Sequence, residues 1–120
     1  MKILHVDDSK DILMVVKTIL EKEGFDVKGV NAGAMALKEV ENDNYALVIL
    51  DTMMPDMSGW ELFKRLLKNK PDCRFVFLSV LEISGKKLEE LKEAGVSDYI
   101  RKPFDRDDFV ARIKKVLNQK

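Results

Sequence analysis

Apolar and polar positions alternate between two periods along this chain. Short apolar runs rich in β-branched and aromatic residues recur at residues 2–6, 25–30, 45–50, 74–79 and 98–100, and each reads as a strand. Residues 45–50, Tyr-Ala-Leu-Val-Ile-Leu, are nearly all apolar rather than alternating. A strand covered on both faces has that pattern, so this one is expected in the middle of the sheet. Between the strands the period lengthens to that of a helix. Ile12, Leu13, Val16, Ile19 and Leu20 form one apolar stripe, and Phe109, Val110, Ile113, Val116 and Leu117 form another. Ser9 is placed to cap the first helix and Gly24 to end it. Ser58 with Glu61 makes a capping-box pattern for the third helix, and Gly95 is placed to close the fourth. That fourth segment, 86–94, offers only Leu88, Leu91 and Ala94 for burial, with Gly85 ahead of it, and is expected to be the most weakly anchored helix.

Strand and helix alternate five times with short connections. This implies a parallel sheet, right-handed crossovers and helices on both faces, a three-layer α/β fold. With 120 residues, 46% hydrophobic, the chain has the size of one ordinary domain, expected to occupy 1–120. It has no internal repeat or low-complexity tract, and the last helical pattern runs almost to Lys120, leaving no room for a second domain.

Lysine plus arginine number 21 and aspartate plus glutamate 21, so the formal charge is zero. No overall field draws the chain to nucleic acid or to an anionic membrane, and direct binding to either is not expected. Cys73 is the single cysteine; it has no internal disulfide partner, and with His5 it makes too few ligands for zinc. A reducing, cytoplasmic setting fits. The N-terminal apolar run is broken by Asp7 and Asp8 too early for a signal peptide or a membrane span.

In a sheet of this kind ligands gather beyond the carboxyl ends of the strands. Asp7 and Asp8 follow the first strand, Asp51 follows the third, Ser79 ends the fourth and Lys102 follows the fifth. Three carboxylates brought together repel one another and raise each other's pKa unless a cation is present. Hard oxygen ligands without a His or Cys cluster suit Mg²⁺, which also takes phosphate oxygens. Phosphoryl transfer needs an aligned nucleophile and neutralised phosphoryl oxygens. Asp51 is the candidate nucleophile, forming an acyl phosphate; Lys102 supplies positive charge and Ser79 a hydrogen bond to a phosphoryl oxygen.

The acidic pair Asp7-Asp8, the segment Asp51-Thr-Met-Met-Pro-Asp-Met-Ser-Gly59, Ser79 and Lys102-Pro103 together resemble the response-regulator receiver family, over the whole chain. The resemblance implies a doubly wound, flavodoxin-like (βα)5 sheet in the order 2-1-3-4-5, with Asp51 phosphorylated by a histidine kinase or a histidine phosphotransfer protein. It implies Asp8 and Asp51 as direct metal ligands, Asp7 acting largely through water, and a metal bond from the backbone carbonyl of Met53. It also implies a switch in which Ser79 shifts toward the phosphoryl group, Tyr99 changes rotamer, and the face of the fourth helix, fifth strand and fifth helix rearranges for an unidentified downstream protein. The Lys102–Pro103 bond is implied to be cis. The protein would act on itself, through phosphorylation and autodephosphorylation, rather than as an enzyme on other substrates. The sequence departs from the family where Val80 follows Ser79 in place of a very small residue, which is expected to narrow access to the site. Met53 and Leu81 stand at the two variable flanking positions, and neither can orient an attacking water. The phosphorylated form is therefore expected to hydrolyse slowly.

Blander readings cover several residues. Trp60, Met53, Met54 and Met57 look like packing around the loop and third helix. His5, inside the first strand, reads as structural rather than as a phosphodonor, which needs exposure. Cys73 reads as inert, and the pairs Lys86-Lys87 and Glu89-Glu90 as a solvated helix face. Three rival functions are a haloacid-dehalogenase-like phosphatase, a receiver-like docking module that is never phosphorylated, and a flavodoxin-like electron carrier. The phosphatase wants a second aspartate where Met53 stands. The docking module has no use for an intact acidic pair, Asp51 and Lys102, and the electron carrier wants a phosphate-cradling loop that is not evident.

Overall fold

In a computed structural model, which describes residues 1–118, strands and helices follow one another in strict alternation. They are β1 (Lys2–Val6), α1 (Lys10–Lys22), β2 (Asp26–Val30), α2 (Gly33–Asn42), β3 (Leu47–Leu50), α3 (Gly59–Asn69), β4 (Arg74–Ser79), α4 (Gly85–Ala94), β5 (Asp98–Arg101) and α5 (Arg106–Leu117). The last two positions of the expected domain, Gln119 and Lys120, lie outside the described residues.

The five strands are parallel in the order β2-β1-β3-β4-β5. β3 is central: Leu47 is in register with Ile3 on one side and Arg74 on the other. All four of its residues are buried, as its unbroken apolar run requires. It starts two residues later than expected, although Ala46 already donates its N–H to the Lys2 carbonyl and accepts the Arg74 N–H, and Tyr45 donates its hydroxyl to Glu39. β2 likewise starts one residue late, since the Phe25 N–H returns to the Leu20 carbonyl and closes α1. β5 runs one residue further, to Arg101, paired with Ser79.

Side chains alternate across the sheet and build two cores. Val48 and Leu50 join Leu4, Val6, Phe75 and Phe77 under α2, α3 and α4. Leu47 and Ile49 join Ile3, Val76 and Leu78 under α1 and α5. The stripe residues Val16, Leu20, Phe109, Ile113 and Val116 are all buried in the second core. Only Leu91 of α4 is fully buried, so that helix is held as lightly as its sequence implied.

The helix ends follow local chemistry with three additions. Ser9 accepts from the Ile12 N–H and Ser58 from the Glu61 N–H, while Gly24 and Gly95 end their helices at positive φ. The reciprocal half of the capping box does not form, because the Glu61 carboxylate turns to Arg65 at 3.1 Å. Ser84 and Asp105 cap α4 and α5. α2 begins after Ala32, which has no capping side chain. Its first N–H groups are instead taken by Asp56 from the β3–α3 connection, with Oδ1 on Gly33 at 3.0 Å and Oδ2 on Ala34 at 2.9 Å. Among the described residues no helix is long and apolar enough to cross a membrane.

Candidate functional site

Sheet pairing continues one residue past the ends of β1 and β3. The Asp7 N–H donates to the Val30 carbonyl at 3.1 Å and the Asp51 N–H to the Val6 carbonyl at 3.0 Å. The two aspartates therefore start from adjacent, rigid strands rather than from free loops. One carboxylate oxygen from each of Asp7, Asp8 and Asp51 lies within 4.8 Å of the others. Asp7 is fully buried, Asp51 half-buried and Asp8 exposed, so the cluster opens to solvent on one side.

Lys102 enters from β5 and is positioned by its own N–H, which donates to the Ser79 carbonyl at 2.8 Å; its bond to Pro103 is cis. Its ammonium donates to Asp7 Oδ2 at 2.6 Å and stands 3.6 Å from Asp51 Oδ2. Asp51 also accepts the Thr52 N–H on Oδ1 at 2.7 Å. Burial, and then the negative charge of Asp7, push the Asp51 carboxyl above the usual carboxylate range, with Lys102 pulling the other way. A cluster of carboxylates with one ammonium has too little positive charge of its own. All-oxygen donors of this kind fit a hard divalent cation.

The loop after Asp51 is held by close backbone contact. The Gly59 N–H donates to the Thr52 carbonyl at 2.7 Å, and a Cβ at Gly59 would stand 1.9 Å from the Asp51 carbonyl oxygen. Only glycine permits this approach. Met53 and Ser58 form an antiparallel bridge across the same loop.

Ser79 is fully buried at the end of β4, but its hydroxyl is engaged away from the carboxylates. It lies 2.7 Å from the Thr52 hydroxyl and accepts the Leu81 N–H at 3.1 Å. Leu81 in turn accepts the Tyr99 hydroxyl on its carbonyl at 2.6 Å. Tyr99 is 8% exposed and packs against Phe77, with ring centroids 6.2 Å apart. Thr52, Ser79, Leu81 and Tyr99 thus form one hydrogen-bonded line from the residue after Asp51 to β5. Thr52, Asp56, Ser84 and Asp105 were not singled out from the sequence. Ser84 and Asp105 carry an ordinary N-cap signal just ahead of helical segments. The partners of Thr52 and Asp56 lie 27 and 22 to 23 residues away, and no local pattern points to them.

Met54 is buried and Met57 and Trp60 pack against the core, but Met53 is 69% exposed and belongs to neither core. Its place in the bridge turns its side chain outward while its neighbour turns inward. Val80 is 64% exposed and Leu81 48%. Lys86, Lys87, Glu89 and Glu90 are all exposed as expected, and the Lys87 ammonium also stands over the Trp60 ring at 5.1 Å from its centroid. His5 has no solvent exposure, which excludes a phosphodonor role. Neither of its ring nitrogens has a hydrogen-bond partner among the described residues, and burial lowers its pKa to about 4, keeping it neutral. Burial pushes the part-buried Cys73 thiol up to about 11, which keeps it protonated and unreactive.

Comparison with known proteins gives this geometry a context. The family model described as "Response regulator receiver domain" matches residues 3–114. The chain is 37% identical over 122 residues to the transcriptional regulatory protein CpxR homolog of Haemophilus influenzae, covering 98% of this chain and 51% of that protein. It thus spans about half the length of that curated relative. Among solved structures it resembles the response regulator TrrA of Thermotoga maritima in complex with Mg²⁺-BeF, with TM-score 0.83 and 32% identity over 96% of this chain and 97% of that one. It also resembles a CheY-like response regulator receiver domain protein of Methanospirillum hungatei, with TM-score 0.89 and 32% identity over 98% and 93% of the two chains. The order β2-β1-β3-β4-β5, the carboxylates beyond β1 and β3, and the match over most of its length agree: the chain belongs to the response regulator receiver domain family of two-component signalling.

Proposed function

We propose that Asp51 is the phospho-acceptor of this receiver. The observation that carries the reading is the position of the Lys102 ammonium, bonded to Asp7 and 3.6 Å from Asp51, beside a cluster of three acidic oxygens. An Asp51 carboxylate oxygen would attack the phosphorus of a phosphohistidine. The P–N bond breaks, the imidazole leaves with its electron pair, and an acyl phosphate forms on Asp51. Lys102 is suited to balance charge on a phosphoryl oxygen, and Ser79, once turned from Thr52, to donate to another. Asp7, Asp8, Asp51 and the Met53 carbonyl would hold Mg²⁺, with Asp7 largely through water. The metal supplies further positive charge to the phosphoryl oxygens when bound.

The donor in this reading is a histidine kinase or a histidine phosphotransfer protein, in the cytoplasm. The output passes through the face of α4, β5 and α5 to a protein partner, as Tyr99 gives up its bond to Leu81, and residues 1–120 act as one receiver domain. No direct nucleic-acid or membrane contact is part of it, and the domain catalyses only its own phosphorylation and dephosphorylation. Incubation with acetyl phosphate and Mg²⁺, read by retardation on a phosphate-binding gel, tests the assignment. The wild type should shift and Asp51→Asn should not; an equal shift in both would move the acceptor elsewhere.

A further inference from the structure

Ser79 and Thr52 hold each other. Their hydroxyl oxygens are 2.7 Å apart, joining β4 to the residue that follows Asp51. A serine hydroxyl has one hydrogen to donate and two lone pairs. One lone pair takes the Leu81 N–H, and Thr52 supplies the side-chain partner. Beside Thr52 lies a mostly apolar cleft of about 160 Å³, bordered by Trp60, Phe77, Leu81, Ile83, Leu91 and Tyr99, with Lys87 at its wall. When Ser79 turns away, the part-buried Thr52 loses that partner beside a cleft whose walls are mostly carbon.

We propose that Thr52 is a positioning residue for Ser79: its hydroxyl holds the Ser79 hydroxyl in the resting orientation and so opposes the change that phosphorylation requires. The inference rests on the reading of Asp51 as phospho-acceptor and gives that site a threshold. A ligand that recruits Ser79 must first break the bond to Thr52, and its apparent affinity falls by the worth of that bond. Thr52→Val keeps the side-chain shape and removes the hydroxyl, so the resting orientation loses its advantage. The proposed role is distinct from contact with the phosphoryl group, because a Thr52 that touched that group would aid binding rather than oppose it.

The test is a titration of the full chain with beryllium fluoride in saturating Mg²⁺, followed by the fluorescence of Trp60, the single tryptophan, and repeated by calorimetry. Thr52→Val should lower the midpoint about threefold to tenfold, the range expected for one hydroxyl hydrogen bond. Thr52→Ser should behave as the wild type, and Thr52→Ala replaces Thr52→Val if the latter does not fold. In a Ser79→Ala background Thr52→Val should have no further effect, because the partner is already gone. An unchanged or higher midpoint for Thr52→Val overturns the inference, as does a shift of the same size in the Ser79→Ala background. Asp51→Asn separates the two levels. If the wild type itself shows no Asp51-dependent response, the acceptor reading fails; if it responds and Thr52→Val does not differ, only the role of Thr52 fails.

Discussion

The Lys102 ammonium is 2.6 Å from the fully buried Asp7 carboxylate, a shorter approach than it makes to the nucleophile candidate beside it. In the metal-free protein this lysine is chiefly the counter-charge of Asp7. Removing it strands a buried carboxylate, although the Ser9 N–H at 2.9 Å remains. Breaking a fully buried pair typically costs about 3–5 kcal/mol. Because Asp7 keeps one donor, Lys102→Met should lose about 2 kcal/mol in urea denaturation with chelator present. No loss would mean that Asp7 does not depend on Lys102.

Asp51 has the opposite balance. Its folded pKa is raised, by burial first and then by Asp7, so its charged form is disfavoured in the native state. The stability linked to Asp51 is complete below its unfolded pKa of about 4 and is lost as pH rises through the higher folded value. At neutral pH without metal, Asp51→Asn should therefore melt at a higher temperature than the wild type, with the difference vanishing below about pH 4. Mg²⁺ should stabilise the wild type, by about 2.7 kcal/mol at a hundred times its Kd, and the variant much less. Thermal melts across pH with and without Mg²⁺ measure both effects. A destabilised Asp51→Asn would show that the charged Asp51 carboxylate is not disfavoured in the native protein.

Asp56 caps a helix to which it does not belong. The N–H groups of Ala34 and Gly33, in that order, hold its carboxyl below the usual range. A depressed carboxyl gives stability that is present above the unfolded pKa and is lost as pH falls through the folded one. Asp56→Ala should cost about 1 kcal/mol at pH 7, the ordinary worth of an N-cap. The wild type and the variant should converge as pH drops below about 4. A constant difference down to strongly acidic pH would indicate a packing effect instead.

Two apolar side chains flank the candidate acceptor, Met53 at 69% exposure and Leu81 at 48%. Neither can accept a proton from water or orient it. The phosphorylated protein should therefore persist for minutes or longer in Mg²⁺ buffer, and Met53→Asn should shorten its half-life about tenfold, the worth of one good hydrogen bond. Decay followed by phosphate release tests this. A wild-type half-life of seconds would mean that solvent reaches Asp51 unaided.

The fold was legible because its two periods are clean. The unbroken run ending in Leu47–Leu50 and the stripes around Val16 and Ile113 admit few other arrangements. The candidate site was legible for a related reason: in parallel sheets the residue after a strand is at the functional edge, and Asp7, Asp51 and Lys102 all occupy that position. What stayed hidden depends on the path of loops. Asp56 reaches α2 across 22 to 23 residues, and Thr52 reaches Ser79 across 27, so neither partner leaves a local trace. Methionine is usually packing, but Met53 is 69% exposed on a loop whose local mark is its bridge to Ser58. Glu61 shows the limit of a motif: the spacing of the capping box is present, but Arg65 competes for the carboxylate.

The central claim, that Asp51 takes a phosphoryl group with help from a divalent cation, is tested most directly by intact-mass spectrometry after incubation with acetyl phosphate. With Mg²⁺ the wild type should gain about 80 Da, one phosphoryl group, while Asp51→Asn and a chelator-treated control should gain nothing. No gain in a folded wild type that also fails to bind beryllium fluoride would contradict the claim, and would leave a receiver domain that acts by docking alone.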